Sequence, residues 1–114
     1  MQPDEKDNET AKEMIAEVNA LSNVDRLIHE PARLVILALL SVVDSAGFNY
    51  ALKQTQLSRG NLSVQMTKLE EAGYLTIEKK FIGKRPYTVM RISEAGRKAF
   101  EEYRQSVVGA LSNL

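Results

Sequence analysis

Apolar positions along this chain change their spacing repeatedly, and each change marks an element. Met1 to Glu9 is polar and acidic with Pro3 inside it, so a flexible tail is expected. From Thr10 to Ser22 the spacing turns helical, with Ala11, Met14, Ile15, Val18 and Leu21 forming a stripe. Asn23 interrupts it, and Val24 to Ile28 reads as a further short helical turn. Glu30-Pro31 opens the next helix, because proline at the first helical position gives up an N–H that would be unpaired anyway. Ala32 to Asp44 is apolar nearly all round, the signature of a central helix packed on several sides, with Gly47 expected as its terminating residue.

The next stretches are shorter. Phe48-Asn49-Tyr50 reads either as an extended piece or as the entry to a helix running from Tyr50 to Thr55, with Leu52 inward and Lys53 outward. Gln56-Leu57 joins it to a longer segment that starts at the capping residue Ser58 and stops at Gly73. A short helix, a tight turn and a longer capped helix is the helix-turn-helix arrangement. Tyr74 to Phe81 then alternates as a strand, Gly83 and Pro86 supply turn chemistry, and Tyr87 to Ile92 returns as a second strand. Ser93 is the expected N-cap of a last helix, on which Phe100, Tyr103, Val107 and Leu111 make a face that is either core or a subunit seam. Gly96 and Gly109 are expected to weaken that helix locally.

The segment from Ser58 to Ala72 carries the candidate chemistry. At roughly 100° per residue, Leu62, Met66 and Leu69 share the core side. The opposite side holds Gly60, Asn61, Val64, Thr67 and Lys68, with Arg59 and Ser63 on the first turn. An α-helix fits the major groove of B-DNA, and Arg, Asn, Thr and Ser can address base edges there. Most amphipathic helices merely present polar residues to water; the neighbouring hairpin shifts the balance. It carries Lys79, Lys80, Lys84 and Arg85. Edge protection against aggregation would account for one or two lysines on a hairpin. Four cations beside a candidate reading helix favour phosphate contact.

Charge distribution supports that reading where total charge does not. The chain has 15 Lys/Arg and 15 Asp/Glu among its 114 residues, a net charge of zero. Residues 1–46 hold four Lys/Arg and nine Asp/Glu, whereas residues 47–92 hold eight against three. Positive charge is thus concentrated where the reading helix and hairpin lie, and local asymmetry governs attraction to a polyanion. The length suits one domain. No apolar run approaches the roughly 20 residues of a membrane span, and the acidic start lacks the apolar core of a signal peptide. The absence of cysteine excludes disulfides and thiolate metal sites and fits a reducing cytoplasm.

The residues also carry a family likeness. Leu57-Ser-Arg-Gly-Asn-Leu-Ser, Leu69-Glu-Glu-Ala-Gly-Tyr, the basic hairpin and Ile92-Ser-Glu-Ala-Gly-Arg resemble winged-helix transcriptional regulators of the MarR and ArsR type. The closer likeness is to the small stand-alone winged-helix DNA-binding proteins; it spans residues 24–105 and takes in His29-Glu-Pro-Ala-Arg-Leu-Val-Ile-Leu. It implies a mainly α fold with a small β-hairpin, a winged helix-turn-helix with extra N- and C-terminal helices. Residues 1–9 would be the tail and 10–114 a single domain, with 10–28 and 93–112 pairing two subunits. Such proteins are typically homodimers on pseudo-palindromic operators. The resemblance places Arg59, Asn61, Ser63, Val64, Thr67 and Lys68 toward the major groove, beside Ser58 and Gly60, and Lys84 and Arg85 at the wing tip near the minor groove. Gln65 departs from the histidine common in relatives, and altered local hydrogen bonding is expected there.

The expected function is a sequence-specific regulator of transcription bound to double-stranded DNA, with repression as the default and no cofactor. The alternative is a winged-helix adaptor that binds protein instead, since fold does not dictate function. Catalysis has little to work with. His29 is the only histidine, no phosphate-cradling glycine-rich loop is present, and Asp25 and Asp44 have no obvious partner in sequence. His29 is expected at the helix entry or a domain interface, and one histidine with scattered carboxylates makes a poor transition-metal site. MarR-like relatives take small effectors between the dimer helices and the reading domain. Leu27, Ile28, Leu37 and Tyr103 would line that region here, but an apolar lining also describes a packed core, which is the expectation, and no effector is assigned.

Overall fold

A computed structural model describes residues 8–16 and 25–112 of the protein. Helix α1 covers residues 8–16 and is exposed throughout, Met14 at 37% and Ile15 at 59%. The expected stripe residues Val18 and Leu21, like Val24 and the acidic tail through residue 7, lie outside the described residues. Asp25 to His29 forms one hydrogen-bonded turn, His29 N–H donating to Asp25 O at 3.0 Å.

Helix α2 (Pro31–Val43) begins as expected, with Pro31 in the first turn and Glu30 as N-cap accepting from Arg33 N–H at 2.8 Å. Its Ile36, Leu37 and Leu40 are fully buried. The helix ends earlier than the sequence suggested. Asp44 takes φ 66° and ψ −47°, which breaks the helical course, and its N–H returns to Leu40 O. The carboxylate of Asp44 is held by the Arg97 guanidinium, and its carbonyl accepts from Ile92 N–H at 3.1 Å. Gly47 therefore does not terminate α2. Ser45–Gly47 instead forms strand β1, too short for its period to show, with Ala46 buried beneath it.

Gly47 becomes the N-cap of α3 (Phe48–Thr55), which resolves Phe48-Asn49-Tyr50 as helix entry. Gln56 closes α3 in the left-handed region at φ 59°, and Leu57 and Ser58 complete the turn. Helix α4 (Arg59–Glu71) starts where Ser58 Oγ accepts from Asn61 N–H at 3.1 Å and ends two residues before Gly73, whose φ is 80°. Leu62, Met66 and Leu69 face inward as the period requires.

Strands β2 (Leu75–Ile82) and β3 (Arg85–Ile92) form the hairpin, joined by Gly83 and Lys84 alone. Gly83 has φ 62° and Lys84 does not share it, the pattern of a type II′ hairpin turn. Pro86 is not part of the turn; it pairs with Phe81 inside β3. The antiparallel sheet has order β1-β3-β2, with Ala46 opposite Met90 and Leu75 opposite Ile92.

Helix α5 (Glu94–Ser112) is capped by Ser93, whose Oγ accepts from Gly96 N–H at 3.0 Å and donates to Gly73 O at 2.6 Å. Gly96 is no local weakness. A Cβ there would lie 2.0 Å from Tyr74 O, so only glycine lets the start of α5 approach the start of β2 this closely. The apolar stripe of α5 divides. Tyr103 is buried in the core, with Phe100 and Val107 packed against it, whereas Leu111 is 60% exposed. Ile28, Leu37 and Tyr103 belong to the core cluster and Leu27 packs on it, in keeping with the expected packed core. No helix among the described residues is long and apolar enough to cross a membrane.

Candidate nucleic-acid interface

The core face of α4 anchors the helix and leaves the rest of its circumference open. Arg59, Gly60, Asn61, Ser63, Val64, Thr67 and Lys68 are all exposed. Thr67 spends its hydroxyl on Ser63 O at 3.1 Å, and Ser58 is exposed but engaged as the cap. Ser63, Val64, Thr67, Lys68 and Glu71 line a shallow groove of about 330 Å³ along this face. Glu71 gives the C-terminal end of that groove a negative charge.

The first turn of α4 meets the hairpin across a larger groove of about 570 Å³. One wall is Phe48, Asn49, Tyr50 and Arg59; the other is Ile82, Arg85, Pro86, Tyr87 and Thr88. Arg59 is held in place on its wall. It donates to Asn49 Oδ1 at 3.1 Å, and its guanidinium carbon lies 5.7 Å from the centre of the Phe48 ring. Two guanidinium groups, one from the helix and one from the hairpin, thus border a single concave surface with aromatic walls.

The other hairpin cations are less concentrated than the sequence suggested. Side chains alternate along a strand, so Lys79 and Lys80 emerge on opposite faces of β2. Lys80 is paired with Glu78 at 3.6 Å. Lys84 sits in the turn, and neither Lys79, Lys80 nor Lys84 borders the groove that holds Arg59 and Arg85. Phe81 and Ile82, 68% and 71% exposed, share the far end of the hairpin with these cations. Sequence reasoning also passed over Asn49, Tyr50, Tyr87 and Thr88. The only signal for them was the aromatic-rich run at 48–50, which was legible as local structure and not as a wall.

Gln65 lies off the outermost face and is half-buried. Its Oε1 accepts from Arg33 Nη1 at 2.7 Å, and its Nε2 donates to Asn61 Oδ1 at 3.0 Å. The two acids that lacked partners in sequence have them in the fold. Asp25 Oδ1 accepts from Leu27 and Ile28 N–H, and its Oδ2 accepts from the Tyr74 hydroxyl at 2.8 Å. Burial, then this bond to Asp25, raises the Tyr74 phenol above its ordinary value. Asp44 is bound to Arg97. His29 is hydrogen-bonded through Nδ1 to the Tyr103 hydroxyl at 2.6 Å, which ties the entry of α2 to α5.

Comparison with known proteins bears on this arrangement. The family described as "Winged helix DNA-binding domain" matches residues 32–111, which span α2, the helix-turn-helix, the hairpin and nearly all of α5. The chain belongs to this winged-helix family. An uncharacterized protein of Methanocaldococcus jannaschii is 33% identical over 89 residues, covering 78% of this chain and 97% of that one. A solved structure of a transcriptional regulator homologue from Pyrococcus horikoshii OT3 is 26% identical. It superposes with a TM-score of 0.78 and covers 85% of this chain and 95% of its own. A MarR-family transcriptional regulator from Silicibacter pomeroyi shares the fold at TM-score 0.61 and 17% identity, over 92% of this chain and 68% of that one. In the terms of this winged-helix fold, α3 and α4 are the helix-turn-helix, and β2 and β3 are the wing.

Proposed function

We propose that this protein is a sequence-specific, double-stranded-DNA-binding regulator of transcription that acts as a homodimer. One observation supports this reading above the others: Arg59, on the first turn of α4, and Arg85, on the wing, border one concave surface, and the exposed face of α4 continues from Arg59 along the same helix. In this reading Asn61, Ser63, Val64, Thr67 and Lys68 meet base edges in the major groove, with Gly60 allowing close approach. Ser58 starts the helix and lies beside the backbone. Lys84 and Arg85 hold phosphates and fix register without reading sequence, while Lys79 and Lys80 add positive charge on the two faces of β2.

The homodimer is proposed from the apolar surface left at both ends of the chain. Met14 and Ile15 on α1, and Val108 and Leu111 on α5, are exposed in the single subunit. Segments 10–28 and 93–112 pairing across a two-fold axis would cover them. They would also set two copies of α4 about one DNA turn apart, roughly 34 Å, over a pseudo-palindromic operator. Occupancy of a promoter then obstructs polymerase, so repression in the cytoplasm is the proposed outcome.

The test is a gel shift with random duplex at increasing salt, followed by selection of bound duplexes from a random pool. The proposal expects affinity that falls steeply with salt and an enriched two-fold motif. Binding that is absent at low salt would instead leave a winged helix used as a protein adaptor.

A further inference from the structure

Asn61 is an amide on the reading face whose hydrogen-bonding polarity is fixed before any ligand arrives. Arg33, on α2, lies behind it. Its Nε donates to Leu27 O, which orients the guanidinium, and its Nη1 donates to Gln65 Oε1 at 2.7 Å. Arginine has donors and no acceptor, so Gln65 must turn its oxygen toward Arg33. The amide nitrogen of Gln65 then faces α4's preceding turn, where it donates to Asn61 Oδ1 at 3.0 Å. Asn61 must therefore turn its oxygen inward. What it offers outward is its NH₂ group.

We infer that Arg33 and Gln65 form a polarity relay that sets the base preference of Asn61, making it a reader of hydrogen-bond acceptors. This rests on the proposal that α4 enters the major groove and goes beyond it. Arg33 and Gln65 are positioning residues here; neither has to touch DNA. In the major groove the acceptors are purine N7, guanine O6 and thymine O4, while the cytosine amino group is a donor. The base facing Asn61 is then a guanine, thymine or adenine, and cytosine is excluded.

The substitution Gln65→Glu tests the relay by reversing it. A carboxylate still pairs with Arg33, but toward Asn61 it can only accept. Asn61 must rotate its amide, donate inward and present Oδ1 outward. Selection of bound duplexes from a random pool is carried out with the full-length parent and with Gln65→Glu. The expected result is one position per half-site that changes from excluding cytosine to accepting it, while guanine and thymine, which offer only acceptors, are lost there. The change in relative affinity at that position should be roughly tenfold or more. The added negative charge lowers affinity for all duplexes alike and leaves the other positions unchanged. Arg33→Met is a second route: Gln65 is released to adopt either orientation, and exclusion of cytosine relaxes at the same position.

Repeating Gln65→Glu in an Asn61→Ala background separates relay from contact. The relay expects no position-specific change there; a change that persists without Asn61 means that Gln65 itself reads the base and overturns the inference. An unaltered profile in both Gln65→Glu and Arg33→Met overturns it as well, while leaving DNA binding intact. A parent chain that enriches no duplex overturns the relay and the regulator reading together.

Discussion

Gly96→Ala should destabilise the protein severely, and the structure says by how much. The new Cβ would sit 2.0 Å from Tyr74 O, while ordinary contact begins at 3.4 Å, so the start of α5 must retreat from β2 by about 1.4 Å. Two hydrogen bonds cross that seam: Ser93 N–H to Tyr74 O at 3.1 Å, and Ser93 Oγ–H to Gly73 O at 2.6 Å. Stretching both loses about 1 kcal/mol each. Forced repacking of the adjoining core adds about 1–3 kcal/mol. The sum, about 3–5 kcal/mol, is a large part of the roughly 5–15 kcal/mol that holds a domain folded. Urea unfolding followed by circular dichroism measures it, and the thermal midpoint should fall by about 12 °C or more. Gly60→Ala is the control, because a Cβ there meets nothing within 4 Å. Relieved of glycine's backbone entropy, that variant should gain up to about 1 kcal/mol. A Gly96→Ala protein as stable as Gly60→Ala would refute the close approach of α5 and β2, and with it the placement of the wing.

Three further outcomes are expected. Ser58→Ala removes the acceptor for Asn61 N–H and should cost about 1 kcal/mol by urea unfolding, with frayed exchange of the first α4 amides. Lys84→Ala and Arg85→Ala, if each loses one phosphate contact, should each flatten the salt dependence of duplex binding by about one unit of slope per subunit; equal loss at all salt concentrations would remove the phosphate role. Tyr74 titrates above its ordinary value because it is partly buried and donates to Asp25, so its folded form holds the proton more tightly than the unfolded chain does. That stabilisation is fully present below pH 10 and is lost as pH rises through the raised value. Tyr74→Phe should flatten the alkaline limb of a stability–pH curve.

Much of the fold was legible because its elements announce themselves with local chemistry. Pro31, Ser58, Gly73 and Ser93 mark helix ends through caps and turns that need no tertiary contact, and Leu62, Met66 and Leu69 mark the buried side of α4 by period alone. What was not legible depends on partners far away in sequence. Three residues cannot show a period, so β1 became visible only through its pairing with β3. Gly96 reads as a poor helix former until Tyr74 O is brought against it. Asp44 reads as a lone acid until α5 delivers Arg97. The candidate site divides in the same way. Its α4 face followed from the helical period, but Asn49, Tyr50, Tyr87 and Thr88 required the hairpin to fold back toward α3. The wing's charge was visible in composition; the split of Lys79 and Lys80 onto opposite faces, and the loss of one of them to Glu78, came from strand register.

Whether the open face of α4 enters the major groove can be tested with the protein's own lack of cysteine. Val64, mid-way along that face and 51% exposed, is changed by Val64→Cys, which creates a unique attachment point for an iron–EDTA cleavage reagent. With a selected duplex bound, strand scission is expected at two symmetric loci about one helical turn apart. Duplex bound at unchanged affinity with no scission near its recognition motif would contradict it.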